Sequence, residues 1–178
     1  QVGPKVAIIG AGGIGFDVAE FLAHEGTPTS QDKDAFFTEW GVDTDYTHRG
    51  ALQPPEDAPP ARQITLCQRS KGKLGAGLGK TTGWIHRASL KKKQVTMLSE
   101  CSYERIDDDG LHLQVKGEAQ VLDVDHVIIC AGQVPARELH EPLTQRGVEV
   151  HLIGGADVAA ELDAKRAIDQ GTRLALAL

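Results

Sequence analysis

Lys5-Val-Ala-Ile-Ile-Gly-Ala-Gly-Gly-Ile-Gly15 is the stretch whose reading decides the fold. An apolar run over residues 6–9 enters a turn in which Gly10, Gly12 and Gly15 stand at G-x-G-x-x-G spacing, and helix-like residues 14–24 follow. The first glycine permits a tight turn. The second lets the backbone approach a pyrophosphate, and the third allows close helix–strand packing. A diphosphate would rest on the positive end of the helix, with Gly13 and Ile14 completing the set of candidate contacts. Strand before and helix after give the motif its weight and point to dinucleotide binding; without them the same glycines would be a plain βα turn.

The second strand, residues 63–69, bears on which dinucleotide. NAD-binding units place an Asp or Glu at its end to accept from the ribose hydroxyls. Here it ends Gln68-Arg69, with Lys71 and Lys73 close behind and no carboxylate. A guanidinium grips a 2′-phosphate bidentately and stacks on adenine, and the lysines add point charge. The expectation is NADPH rather than NADH, against the alternative of a solvated basic turn on an acidic surface.

Residues 72–83 form a glycine-rich loop that invites comparison with a nucleoside-triphosphate loop. G-x-x-x-x-G-K-[ST] would need glycine where this chain has Leu74, and the apolar strand at 127–130 ends without an aspartate for magnesium. The loop is expected to close over the nicotinamide end, with Lys80 and Thr81 beside the cofactor or in a structural role.

The chain has 178 residues, 40% hydrophobic and 25% charged, so one large or two small globular domains fit. A formal net charge of -6 argues against general binding to nucleic acid or anionic membranes. No apolar run approaches the roughly 20 residues of a membrane span, and a cytoplasmic setting is expected. The three cysteines, Cys67, Cys101 and Cys130, form no C-x-x-C unit and no iron–sulfur or zinc motif; they are read as small buried hydrophobes. The seven histidines are scattered, with no H-x-x-x-H pair and no acidic partner at short spacing. No serine or cysteine nucleophile motif is present, so no catalytic side chain is assigned. Gln1 is not an initiator methionine and the first strand begins almost at once, as in a piece cut from a longer protein.

The remaining chain reads as follows. Residues 27–62, with prolines on both sides of the acidic Glu56-Asp57, are expected to be an irregular insertion, with a short aromatic-bearing helical turn at 35–40. A helix at 82–92 and a strand at 95–98 lead into an antiparallel meander at 102–106, 111–115 and 120–124. The unbroken apolar strand 126–132 suggests burial on both faces, and Gly132 at its end is a further candidate cofactor contact. A polar connector at 135–146 precedes a strand at 150–153. Gly154-Gly155-Ala156-Asp157 then opens a helix over 158–175. Asp157 is read as a helix cap or, alternatively, as an acceptor for a flavin ribityl hydroxyl beside Gly155.

KVAIIGAGGIGFDVAEFL, EWGVD, GLGKTTGWIHR, YERIDDDGLHL, VIICAG and HLIGGADVAAELDAKRAIDQGTRLAL together closely resemble the C-terminal part of bacterial NADPH-dependent 2,4-dienoyl-CoA reductases. The resemblance covers nearly the whole chain and is vague over 27–62. It implies an α/β fold: a Rossmann-like, three-layer, glutathione-reductase-like domain with an antiparallel β-meander over 1–135. Residues 148–178 would be the returning strand and helix of a truncated FAD-binding domain.

In that family NADPH reduces FAD, and a 4Fe-4S cluster relays electrons to FMN in a β/α barrel, where the dienoyl-CoA is reduced. Carried over, Gly10, Gly12 and Gly15 hold the diphosphate, Arg69 with Lys71 or Lys73 takes the 2′-phosphate, and Asp157 matches a flavin contact. The partners would be the FAD and barrel domains of the same polypeptide, and the piece alone is expected to be inactive. Trimethylamine-dehydrogenase-like or enoate-reductase-like fusions are the alternative within the enzyme class. A stand-alone nucleotide-sensing or interaction domain is the alternative from another class.

Overall fold

The computed structural model describes residues 1–56, 58–160 and 163–178. The chain forms two units, Gln1–Ala131 and Gly132–Leu178. The first begins with β1 (Lys5–Ile9), α1 (Gly13–Ala23), α2 (Lys33–Trp40), β2 (Gln63–Cys67), α3 (Gly83–Lys92) and β3 (Thr96–Leu98). The meander β4 (Cys101–Asp107), β5 (Gly110–Val115) and β6 (Glu118–Leu122) follows, and β7 (His126–Ile129) closes the unit.

The apolar run of the opening motif becomes one of the two inner strands of a parallel sheet ordered β3-β2-β1-β7, with Ala7 opposite both Thr65 and Val127. Alternate residues of a strand face opposite sides. Val6 and Ile8 therefore meet Phe16 and Leu22 of α1 and Leu90 of α3, while Ala7 and Ile9 meet Leu111, Leu113 and Val115 of the meander. Burial on both faces removes the polar alternation that a half-exposed strand would show. Helices, sheet and meander make three layers, the Rossmann-like α/β fold anticipated from the sequence.

Four expectations need correction in this unit and the next. β7 is not buried on both faces. It lies at the edge of the sheet with β1 as its one neighbour among the described residues, and Ile129 is 70% exposed. The 27–62 segment is more ordered than its prolines suggest. Asp32 caps α2 by accepting from the Asp34 and Ala35 N–H groups, Gly41 ends it at φ 66°, and buried Asp43 accepts from Asp45, Thr47 and His48. Asp57 lies outside the described residues.

The second unit contains α4 (His140–Gln145), a 3-10 turn at Gly154–Ala156 and α5 (Ala164–Ala177). The expected strand at 150–153 is absent: its backbone is not paired, because the described residues of this unit offer no other strand. The expected helix start at 158 also moves. α5 begins at Ala164 with Asp163 accepting from the Arg166 N–H, while Glu161 and Leu162 lie outside the described residues.

α2 is fastened to the domain by charge rather than by a core of its own. Lys92 sits 4.3 Å from the Trp40 ring centroid, and Lys93, 6% exposed, lies 3.4 Å from the Glu39 carboxylate, itself 12% exposed. Burial works to raise the Glu39 pKa, but the Thr29 hydroxyl and the Lys93 and Lys92 charges outweigh it and hold the group below its ordinary value. A carboxylate with a lowered folded pKa stabilises fully above its unfolded pKa, and that contribution is lost as pH falls through the folded value. Glu39→Ala, which leaves the buried Lys93 ammonium with the Ala58 carbonyl at 3.4 Å in place of its carboxylate, is expected to cost about 2–3 kcal/mol in denaturant unfolding at neutral pH. The gap to the parent chain should narrow in acid.

Candidate nucleotide-binding site

The glycine turn is built by main chains meeting without room for side chains. Gly10 donates to the Cys67 carbonyl at 2.9 Å, and Cys130 donates to the Ile9 carbonyl at 2.7 Å, which ties the turn to the ends of β2 and β7. Gly10 has φ +113°, and a Cβ there would stand 2.4 Å from the Cys130 oxygen. A Cβ at Gly15 would stand 1.8 Å from the Gly10 oxygen, so α1 can reach the turn only through glycine. Gly12 and Gly13 are different: a Cβ at either meets nothing within 4 Å. The fold itself makes no demand at Gly12, and the space above it is open to a ligand.

The first intrahelical bond of α1 runs from the Phe16 N–H to the Gly12 carbonyl at 3.1 Å, and no side chain caps the N-terminus. The N–H groups of Gly13, Ile14 and Gly15 are thus left for an outside acceptor, with no acidic residue in the first turn to occupy them.

A cleft of about 630 Å³ opens beside the turn, lined by Gly10–Gly12, by the loop after β2 and by Tyr103. The Gln68 amide fixes that loop by donating to the Ser70 carbonyl at 3.0 Å and the Gly72 carbonyl at 3.2 Å. Its main chain is joined to Leu98 and Cys101 at 2.9 Å each. Arg69, Lys71 and Lys73 line the cleft, and among the described residues no carboxylate does. Lys71 stands 3.9 Å from Glu100 and is 88% exposed, a loose pair of little energetic weight. No ion pair of Arg69 or Lys73 is present among the described residues.

The glycine-rich loop forms the far wall. Leu74, whose presence breaks the triphosphate-loop pattern, is 5% exposed and packs in the core under α1 and α3. Gly75 takes φ +70°, a Cβ there would stand 2.7 Å from the Phe16 ring, and Arg87 donates to its carbonyl at 2.9 Å. Gly75, Ala76 and Gly77 line the cleft beside Arg69, Lys71 and Lys73. The loop therefore walls the cleft on the β2 side. Lys80 is exposed and is not among the lining residues.

Gly132, Gly155 and Asp157 belong to the second unit. Asp157 does not cap a helix start. It closes the 3-10 turn, and its Oδ2 accepts from Gln170 at 2.9 Å, while Gln170 Oε1 accepts from the Gly154 N–H at 2.8 Å. Arg137 donates to the Ala156 and Asp157 carbonyls. The turn is thus satisfied from within, and α5 is capped by Asp163, so the described residues of this unit present no ready flavin-diphosphate cradle.

Cys67 and Cys101 are buried beneath the cleft, and burial pushes the Cys67 thiol up to about 12, far from a reactive thiolate. Four of the seven histidines do find acids at short range, which corrects the sequence reading. His48 lies 3.0 Å from Asp43, His112 2.7 Å from Asp107, His151 3.2 Å from Glu149 and, across α1 and α3, His86 2.9 Å from Glu20. Asp107, Asp109 and His112 converge within 4.8 Å, but Asp107 is already engaged by Arg105, His112 and the Asp109 N–H, which closes the β4–β5 turn. Gln68 and Tyr103 were missed as site residues. Tyr103 could have been found from its spacing: it lies two residues after Cys101, on the same inward face of β4.

The sequence pattern of pyridine nucleotide-disulphide oxidoreductases matches residues 1–167. The chain belongs to that family. Its members bind FAD and NAD(P)H, so this is a pyridine-nucleotide oxidoreductase domain. A metal reductase of Desulforamulus reducens is 26% identical over 156 residues, 88% of this chain and 22% of the relative. A 2-naphthoyl-CoA reductase, solved with 2-naphthoyl-CoA, has a TM-score of 0.67 at 18% identity, covering 100% of this chain and 22% of that one. The HOCl-induced flavoprotein disulfide reductase of Escherichia coli has a TM-score of 0.55 at 13% identity, covering 100% and 37%. The chain spans about a fifth of the length of the curated relative. Among the described residues no helix is long and apolar enough to cross a membrane.

The glycines divide into two kinds, and substitution separates them. Gly15→Ala is expected to lose several kcal/mol of stability, because backbone must move. Gly12→Ala should melt within a degree or two of the parent chain yet bind NADPH at least tenfold more weakly, as read by paired thermal melts and titrations.

Proposed function

We propose that this chain is the NADPH-binding module of a larger flavin and iron–sulfur oxidoreductase resembling 2,4-dienoyl-CoA reductase. NADPH, when bound, supplies a hydride for the FAD of the same enzyme. The observation that carries the reading is a cleft joining an uncapped helix N-terminus to three cations with no carboxylate among its lining residues. The N–H groups of Gly13, Ile14 and Gly15 receive the diphosphate, and the open space over Gly12 admits it closely. Arg69 takes the 2′-phosphate, with Lys73 as the second cation and Lys71 shared with Glu100. An NADH-selective site would need a carboxylate at the end of β2 to accept from the ribose.

Domains beyond this chain would hold FAD, FMN and the 4Fe-4S cluster, with the barrel reducing the unsaturated CoA thioester. The similarity to a structure containing 2-naphthoyl-CoA and the chain's one-fifth share of its relatives support that arrangement. The second unit would belong to the FAD domain, with Asp157 beside Gly155 contacting flavin once further chain supplies the rest of the pocket. By itself the chain would bind nucleotide and reduce nothing.

Arg69→Ala is expected to weaken NADPH binding at least tenfold and to leave NADH binding within twofold, by fluorescence titration of the reduced nucleotides. Equal losses for both would contradict the 2′-phosphate assignment. Indifference of the parent chain to NADPH would favour a vestigial site, as in a trimethylamine-dehydrogenase-like fusion.

A further inference from the structure

Tyr103 combines two properties. It lines the cleft together with Ile9, Gly10 and Arg69. Its hydroxyl is also buried without a hydrogen bond, the one such side-chain atom among the described residues. A phenol is usually bonded when buried, and leaving its O–H unpaired costs free energy that phenylalanine in the same place would not. The described residues around it offer no remedy. Its neighbours are the thiols of Cys67 and Cys101, which are weak partners, and Cys101 points its own Sγ at the Leu98 carbonyl at 3.5 Å. Burial, then these two cysteines, push the phenol up, while the positive charge of Arg69 acts on the same hydroxyl in the opposite sense. The group is therefore a neutral O–H donor with a guanidinium nearby, on the β2 side of the cleft.

We infer that the Tyr103 hydroxyl is a ligand contact, donating a hydrogen bond to a ribose or phosphate oxygen in the adenosine half of the bound dinucleotide. The inference rests on the NADPH reading above and adds to it a residue that the glycine fingerprint and the basic loop do not include. The adenosine half is indicated because Arg69, the proposed 2′-phosphate ligand, is the charged neighbour of this hydroxyl. The hydroxyl is shielded from the cleft, so contact requires a side chain to move. Arg69 is exposed and has no ion pair among the described residues, so it is free to move onto the phosphate beside the phenol. In the empty protein the unpaired hydroxyl is a liability; with nucleotide bound it becomes a source of affinity.

Tyr103→Phe separates these two states because it keeps the ring and removes only the oxygen. Denaturant melts of the empty chain and titrations with NADPH, adenosine 2′,5′-bisphosphate and reduced nicotinamide mononucleotide make the test. The expected result is an empty protein at least as stable as the parent. The dissociation constants for NADPH and the bisphosphate should both rise about five- to tenfold, with the mononucleotide unchanged. Parent-like affinity for both adenosine ligands would overturn the role of Tyr103 while leaving the NADPH reading in place. A less stable empty protein would overturn it too, since the hydroxyl would then already have a partner. A parent chain that binds neither NADPH nor the bisphosphate would overturn both readings.

Discussion

Three main chains meeting at one turn govern the rest of this domain. Gly10 fits against the Cys130 carbonyl with no room for a Cβ, and Gly15 fits against the Gly10 carbonyl more tightly still. That contact sets how closely α1 crosses the sheet, and so lets Phe16, Ala19 and Leu22 reach Val6, Ile8 and Leu66. It also fixes the open N-terminus of α1 at the carboxyl ends of the strands, where the cleft lies. One packing constraint thereby supplies both a share of the core and the anion-binding end of the site.

The electrostatics of the cleft run against those of the chain. A formal net charge of -6 surrounds a cleft whose lining, among the described residues, carries three cations and no carboxylate. Such a local inversion concentrates an anionic ligand where the cations are and leaves the remaining surface indifferent to it. The loop bearing them is held in place by the Gln68 amide before any ligand arrives, which lowers the ordering cost of binding. The glycine-rich loop is equally preset, pinned to α1 through Gly75 and Phe16 and to α3 through Arg87.

Much of this was legible in the sequence because it is local. The β1 turn, the uncapped α1, the basic run after β2 and the Asp107–Gly110 hairpin turn each declare themselves within a few residues. The sequence was silent where the deciding partner is distant. The strand expected at 150–153 has the right apolar residues but no described edge in its unit to pair with. β7 has the composition of a buried strand and lies at an edge. Asp157 reads as a helix cap until Gln170, thirteen residues on, is seen to bond its carboxylate. Lys80 fits a motif-like string, yet Arg87 and Leu74 hold the loop so that Gly75–Gly77 face the cleft instead. Tyr103 enters the site only because the meander folds back over the ends of β1 and β2.

The central claim is that this cleft distinguishes NADPH from NADH by its cations. Isothermal titration of the chain with each reduced nucleotide at low and moderate salt is the most direct measurement. The account predicts NADPH binding at least tenfold tighter than NADH, with the difference shrinking as salt rises. Equal affinity for the two, or a preference for NADH, would contradict it.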